Sequence, residues 1–235
     1  MATFRTRFKW AFYSLKLHYL IPTKIFGFLS QISKTSKWIH AHKNIPFNDF
    51  PTRSFDYNRR YDLYREIIEK EQLNKAIDYF EFGVFQGKSF KWWMEQLSHT
   101  DARFYGFDTF TGLPEAWGPF KKGDLANNNT LPKIDDTRHT FYQGLFQQTL
   151  PKFLADYSGN KQKVILMDAD LYSSTAYVLH SLAPHLKAGD IIFFDEFNVP
   201  EHEFKAFTEW IQIHYRNYEI IGAVNNYYQV AIKLQ

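Results

Sequence analysis

Four carboxylates follow two apolar runs, and their spacing predicts a shared site. Asp168 and Asp170 follow one run, and Asp195 and Glu196 follow the next. Ligands of open α/β sheets bind outside the carboxyl ends of the strands. Two carboxylates ~4 Å apart repel by ~4 kcal/mol at an effective dielectric constant of about 20. Such a cluster therefore requires a cation, a shared proton or a cationic substrate, and Mg²⁺, followed by Ca²⁺ or Mn²⁺, is the simplest solution. Helix caps or pairs with lysine are the plainer alternative for each acid.

A strand, a glycine turn and a helix are predicted between residues 76 and 97. The strand ends near Glu81, Gly83 and Gly87 follow it, and Ser89 opens an amphipathic helix. This construction lets the backbone approach an anionic or zwitterionic ligand at a helix N-terminus. An acid near the strand end suits a ligand that carries an ammonium group. The pattern E-x-G-x-x-x-G differs from the dinucleotide fingerprint G-x-G-x-x-G.

Asp108 ends the next predicted strand, 27 residues after Glu81. In doubly wound folds an acid at this position hydrogen-bonds the ribose diol of a nucleoside cofactor. An aspartate that only caps a loop is the alternative. The glycine turn and Asp108 together predict a nucleoside cofactor, and Glu81 favours S-adenosylmethionine over NAD.

The elements that must position these residues alternate along the chain. After a helix from Asp56 to Leu73, strands are predicted at residues 77–82, 103–107, 139–142, 163–167 and 190–194, with two closing strands at 218–224 and 227–233. Helices are predicted at residues 145–157, 174–186 and 201–215. This order predicts a doubly wound, Rossmann-like α/β sheet of seven strands with an antiparallel C-terminal hairpin.

The long polar segment from Thr109 to Thr137 is either a lid or a loop pinned by its aromatic residues.

Composition excludes several classes of protein. The chain has 235 residues and no cysteine, which rules out disulfides, thiolate catalysis and cysteine metal sites. No apolar run approaches the ~20 residues that span a bilayer, and basic residues interrupt the N-terminal apolar runs, which argues against a signal peptide. We expect a cytoplasmic protein that either is free or associates with a membrane surface.

The N-terminal region differs in charge from the rest of the chain. Residues 1–48 hold eight Lys or Arg and no Asp or Glu, while the remaining residues hold 20 basic and 25 acidic side chains, a formal charge of −5. We predict a basic, aromatic, helical arm at residues 1–50 and a catalytic domain at 51–235. Three interpretations of the arm stay open: packing on the body or a second subunit of a homo-oligomer, contact with a membrane surface, or nucleic-acid binding.

Five segments resemble the macrocin O-methyltransferase family. They are FGVFQG at residues 82–87, FDTFTGLP at 107–114, GLFQQTLP at 144–151, DADLYSST at 168–175 and DEF at 195–197. The resemblance covers about residues 56–235. It implies a class I methyltransferase fold and an S-adenosylmethionine- and magnesium-dependent enzyme that methylates sugar hydroxyls.

The resemblance also implies roles for individual residues. Asp168, Asp195 and Glu196 would hold the metal, and Asp170, with Asp168 beside it, would be catalytic, with Asp170 as general base. The family usually has Asp-Asp where this chain has Asp195-Glu196. The cofactor would be bound by Glu81, Phe82, Gly83, Gly87, Ser89, Asp108, Thr109, Phe110, Gly144 and Phe146.

The predicted function is methyl transfer from S-adenosylmethionine to a hydroxyl of a sugar or other polyhydroxylated small molecule, assisted by a divalent metal such as Mg²⁺. Two other functions are weighed against it. One is a non-catalytic nucleoside-binding module on the same fold. The other is a nucleic-acid methyltransferase that uses the basic arm, and the acidic body argues against it.

Overall fold

The computed structural model describes residues 3–235 and contains one seven-stranded sheet in the order β3-β2-β1-β4-β5-β7-β6. Strands β1 to β5 are parallel, and β7 runs antiparallel to both β5 and β6. The predicted α/β fold with seven strands and a C-terminal antiparallel hairpin is confirmed. The strands are β1 (Ile77–Phe82), β2 (Arg103–Asp108), β3 (His139–Gln143), β4 (Gln162–Met167), β5 (Ile191–Phe194), β6 (Tyr218–Val224) and β7 (Gln229–Leu234).

Seven α-helices accompany the strands in the described part of the chain. They are α1 (Phe4–Ser14), α2 (Thr23–Ala41), α3 (Arg59–Lys70), α4 (Lys88–Gln96), α5 (Phe146–Asp156), α6 (Tyr172–Leu182) and α7 (Glu203–His214). Helix α6 is shorter than the predicted 174–186 at its C-terminal end. The chain passes into a 3₁₀ turn at Ala183–His185, where Pro184 has no N–H for the helical ladder.

Both faces of the sheet are covered, which explains the nearly continuous apolar runs of the parallel strands. On one face, Phe80 and Met167 join a core with residues of α5, α6 and α7. On the other face, Tyr79 and Leu166 join a core with residues of α3 and α4. Successive residues of a strand thus pack into the two cores on opposite faces of the sheet.

The strand register brings the predicted carboxylates to one edge. Met167 at the end of β4 pairs with Phe194 at the end of β5. The next residues, Asp168 and Asp195, therefore leave the sheet at the same level. The expectation that these two strands are neighbours is confirmed.

Residues upstream of residue 50 already pack on the sheet domain. The Trp38 ring lies 5.1 Å from Phe197 and 5.9 Å from Tyr227, and its Nε1 donates to the Tyr218 hydroxyl at 3.0 Å. Asn48 forms an isolated parallel bridge with Ala223 of β6. The division at residue 50 stays a prediction, and the contacts of Trp38 and Asn48 hold the two parts together.

The Trp38 contact generates a stability prediction. Trp38→Ala should lower the free energy of unfolding by about 2–4 kcal/mol, because it removes aromatic packing and the hydrogen bond to Tyr218. Urea denaturation followed by circular dichroism measures the change. Trp10→Ala is the matched control, since Trp10 is exposed on α1 and should change stability little. Equal effects of the two substitutions would contradict the packing described here.

Candidate active site

A cluster of carboxylates lies at the ends of β4 and β5, as the sequence predicts. Asp168, Asp195 and Glu196 each offer one oxygen, and these three oxygens lie within 4.8 Å of one another. Asp195 is fully buried and Glu196 is 5% exposed, whereas the Asp168 side chain is partly open to solvent. The group therefore contains a buried acid, Asp195, and an acid that solvent can reach, Asp168.

A buried arginine, which the sequence analysis missed, lies among these acids. The Arg60 Nη1 atom is 3.3 Å from Asp195 Oδ2 and 3.6 Å from Asp168 Oδ2. The Tyr57 hydroxyl donates to the same Oδ2 atom of Asp195 and accepts from Arg60 Nη1 at 2.6 Å. The protein thus supplies one cation of its own to the cluster.

The position of Arg60 on its helix carries a signal that the sequence analysis could have used. Arg60 shares the spacing i, i+3, i+4, i+7 with Leu63, Tyr64 and Ile67, which are all buried against the sheet. A cation on the apolar stripe of a helix needs a buried anion as partner. Arg60 finds that partner in Asp195.

Burial raises the pKa of every acid in the cluster. For Asp168 and Glu196 the neighbouring carboxylates raise the pKa further. For Asp195, Arg60 and the Tyr57 hydrogen bond oppose the effect of burial. Within residues 3–235, Arg60 is the one guanidinium that pairs with these carboxyl groups, so the cluster favours protons or additional cations.

A fifth acid, Glu203, was also missed by the sequence analysis. It lies fully buried in the first turn of α7, and its Oε2 accepts from the backbone N–H of Glu196 at 3.0 Å. Burial, and secondarily the charge of Asp195, raises its pKa well above the ordinary value. Glu203 fixes the backbone that carries Glu196.

Asp170 lies in the same cavity beside Glu196, outside the group of three converging acids Asp168, Asp195 and Glu196. Its backbone has φ 60°, a left-handed conformation that non-glycine residues seldom adopt. Burial, followed by the charges of Asp195 and Asp108, raises the pKa of Asp170 to about 7. The left-handed turn after β4 thus carries a residue that lines the cavity.

Gly83 links the glycine turn to the carboxylates. It has φ 92°, and a Cβ atom at this position would lie 1.7 Å from the carbonyl oxygen of Asp168. Gly87, at φ 75°, is the N-cap of α4, and a Cβ there would lie 2.7 Å from Pro132. Only glycine at residue 83 lets the end of β1 approach the end of β4 so closely.

The carboxylate of Asp108 holds the turn between β1 and α4. Its Oδ2 accepts from the backbone N–H groups of Val84 and Phe85, both at 2.7 Å, and its Oδ1 accepts from Phe110 at 2.6 Å. Asp108 also lines the cavity. It is therefore both a support for the turn and a group that a ligand can reach.

Glu81 lies behind the turn, so the structure does not support the expected direct contact with an ammonium group. The side chain is fully buried; it accepts from Ser89 Oγ at 2.7 Å and from the Tyr79 hydroxyl at 2.5 Å. Burial raises the pKa of Glu81 to about 7. The two hydrogen bonds lower this pKa but do not cancel the effect of burial. Alternation along β1 directs Glu81 to the same face as Tyr79, towards α4.

The remaining predicted cofactor residues divide into two groups. Gly83, Ser89, Asp108, Thr109 and Phe146 line a cavity of about 720 Å³, together with the catalytic candidates. Phe82 and Phe110 are instead fully buried in the two hydrophobic cores, and Gly87 and Gly144 shape turns. The backbone N–H of Gly144 donates to the carbonyl of Asp108 at 2.9 Å.

The segment predicted as a lid or a pinned loop is a folded flap over this cavity. Trp117 and Phe120 stack at 5.3 Å between ring centroids, and both line the cavity. Backbone hydrogen bonds join Leu113 to Asp124 and Gly123 to Leu113, so the flap folds back on itself. Glu115 accepts from Ser173 of α6 at 2.5 Å. The flap combines both expected features, since its aromatic residues hold it and also cover the cavity.

This fold and cavity define the architecture of a class I methyltransferase. The family model described as "Methyltransferase domain" matches residues 80–197, and the chain belongs to this family. It is an S-adenosylmethionine-dependent methyltransferase, and the predicted enzyme class is confirmed. No curated protein shows significant sequence similarity to the chain.

Solved structures with similar folds include two methyltransferases. The calicheamicin methyltransferase CalS11 is 20% identical, with a TM-score of 0.59, over 87% of this chain and 91% of that one. The O-methyltransferase NovP is 20% identical, with a TM-score of 0.56, over 74% of this chain and 79% of that one. At this identity the likeness establishes the shared fold.

The buried Glu81 generates a prediction about pH. The pKa of this carboxyl is about 7 in the folded protein and 4.5 in the unfolded chain. The unfolded chain therefore loses the proton first as the pH rises. The free energy of unfolding consequently falls between these two pH values. The free energy of unfolding of Glu81→Gln relative to that of wild type should therefore increase by roughly 1–3 kcal/mol between about pH 5 and about pH 8. Urea unfolding at each pH measures the difference, with the exposed Glu69→Gln as control. A difference that is independent of pH would contradict the assignment.

Proposed function

We propose that the enzyme transfers a methyl group from S-adenosylmethionine to a hydroxyl of a sugar or other polyhydroxylated small molecule. The observation that carries the proposal is one cavity that joins the glycine turn and Asp108 to the acids Asp168 and Asp170. Two similar folds support it: NovP is an O-methyltransferase, and CalS11 is also described as a TDP-rhamnose 3'-O-methyltransferase.

The turn after β1 is the part of the cavity that would hold the methyl donor. Gly83 leaves the backbone open there, and Ser89 and Asp108 line the cavity beside it. S-Adenosylmethionine supplies an electrophilic methyl group on a sulfonium. The protein then has to align the acceptor hydroxyl with that methyl and exclude water, which the flap residues Trp117 and Phe120 favour by covering the cavity.

Asp170 is the residue best placed to take the proton of the acceptor hydroxyl. Its side chain lines the cavity, and its charge is not paired with Arg60, which faces Asp195 and Asp168. A carboxylate within hydrogen-bond reach of a hydroxyl removes its proton as the oxygen bonds to carbon. Proton acceptance by Asp170 is therefore the acid–base step that we assign to this chain.

The acids Asp168, Asp195 and Glu196 fit a divalent cation such as Mg²⁺. Asp195 Oδ1 and Glu196 Oε2 are buried and have no hydrogen-bond partner within residues 3–235, while Asp195 Oδ2 is occupied by Tyr57 and Arg60. Oxygen ligands of this kind suit Mg²⁺. A bound divalent ion would lower the pKa of a nearby acceptor hydroxyl. Glu196 in place of an aspartate reaches one methylene further from the strand end.

The function is tested with Asp170→Asn. This substitution should lower turnover by about 10²–10⁴-fold, because it removes the proton acceptor, while binding of S-adenosylhomocysteine stays near the wild-type level. Mass spectrometry of glycosides incubated with donor and Mg²⁺ measures turnover, and calorimetry measures binding. Asp62→Asn, exposed on α3, is the control. Nucleoside binding without transfer to any acceptor would instead favour a non-catalytic module.

The role of Arg60 in the cluster generates a prediction about the metal. Arg60 and a divalent cation repel each other and share the same carboxylates, so Arg60→Met should bind Mg²⁺ roughly tenfold more tightly while the metal-free protein loses about 3 kcal/mol of stability. Thermal unfolding across a Mg²⁺ titration would then show a larger metal-induced rise in Tm than in wild type.

Arg65→Met provides the control for this experiment. Arg65 lies on the same helix, but its ion pair with Asp62 is exposed at the surface. This variant should keep the wild-type response to Mg²⁺. A metal response in Arg60→Met equal to or smaller than that of wild type would contradict shared charge between Arg60 and the metal.

A further inference from the structure

The N-terminal helices expose an unusually large apolar surface. Helix α1 contains no buried residue, and the first half of α2, through residue 32, is almost entirely exposed. The exposed apolar and aromatic side chains from residue 4 to residue 32 are Phe4, Phe8, Trp10, Tyr13, Leu15, Tyr19, Leu20, Ile21, Ile25, Phe26, Phe28, Leu29 and Ile32. Patches of this kind on a soluble domain mark a surface for a partner or a membrane.

Helix α1 organises its aromatic residues as a ridge. Phe4, Phe8 and Phe12 are spaced by four residues, and their ring centroids are 6.5 Å and 6.1 Å apart along the helix. Arg5 and Lys9 follow at the same spacing one position further on, so positive charge flanks the ridge. An aromatic face bordered by basic residues is the composition of helices that lie in a membrane interface.

Helix α2 extends this surface and fixes it to the body. Ile25, Leu29 and Ile32 share a stripe with Ile39, which is 8% exposed and belongs to the core. The C-terminal end of the stripe is therefore covered by the body, and its N-terminal end is not. A Cβ atom on Gly27 would lie 2.8 Å from Glu201 Oε1, so the helix touches the body at this point as well.

The charge of the arm decides between its candidate partners. Residues 1–48 hold eight Lys or Arg and no acid, so two arms placed face to face would repel each other. An anionic bilayer offers both the negative charge and the apolar depth that this surface matches. None of the described helices is long and apolar enough to cross a membrane. We infer that residues 4–32 bind the surface of an anionic phospholipid membrane.

The contacts of α2 place this surface beside the opening of the active site. Glu201, which faces Gly27, precedes His202, and the His202 ring lies 6.4 Å from Trp117 of the flap. Trp117 lines the cavity. Gly27, within residues 4–32, is thus linked to the flap through the adjacent residues Glu201 and His202.

Sedimentation of the full chain with vesicles tests the inference. The enzyme should pellet with phosphatidylcholine vesicles that contain about one third phosphatidylglycerol, bind pure phosphatidylcholine at least fivefold less, and dissociate in high salt. Phe4→Ser combined with Phe8→Ser should reduce binding at least tenfold. Arg5→Glu combined with Lys9→Glu should reduce it by roughly fivefold per altered residue or more.

Lys91→Glu combined with Lys152→Glu is the matched control. It makes the same charge change on exposed positions of α4 and α5, outside the arm, and should leave binding near wild type. Circular dichroism would show that every variant is folded. Equal binding to vesicles with and without phosphatidylglycerol would overturn the inference. An equal loss of binding in the control and arm variants would also overturn it. So would light scattering that shows an oligomer dissociated by Phe4→Ser and Phe8→Ser in a protein that binds no vesicles.

Discussion

The repulsion among buried carboxylates is the constraint on which the site depends. Parallel strands β4 and β5 end at the same level, so Asp168 and Asp195 must lie close together. The structure offsets part of this cost with Arg60, which reaches the cluster from α3, a helix far away in sequence. Removal of one member of such a buried set costs more than the set contributes, because the remaining charges lose their partner. The position of α3 is thereby tied to the active site.

A second constraint joins the two halves of the cavity. Gly83 lies so close to the Asp168 carbonyl that a methyl group cannot fit between them. The turn that would hold the methyl donor and the strand end that carries the acids are thus in van der Waals contact. Asp108 supports the same turn through the N–H groups of Val84 and Phe85. A shift of the backbone in either half would therefore displace the backbone of the other half.

The sequence predicts what depends on local pattern and strand order. The alternation of elements yields the sheet, and acids at strand ends yield the cluster, because the carboxyl ends of parallel strands share an edge. Strand order does not reveal Arg60, whose partner Asp195 lies 135 residues away in the chain, or Glu203, which lies on the helix after β5 instead of at a strand end. The position of Glu81 at a strand end predicts contact with the ligand, but its alternation with Phe80 and Phe82 places it on the opposite face of β1, where it is buried against Ser89.

The distribution of hydrogen bonds around Asp195 shows how an internal cation and a metal can coexist. Tyr57 and Arg60 both engage Oδ2, while Oδ1 stays free among the described residues. If a divalent ion binds here as proposed, the Tyr57 hydrogen bond to Oδ2 would leave Oδ1 oriented towards it, as partners outside the coordination sphere do in metal sites. One guanidinium cannot neutralise Asp168, Asp195 and Glu196 together. Arg60 is therefore better understood as a residue that partly neutralises the cluster, and would share its carboxylates with a bound cation, than as a substitute for such a cation.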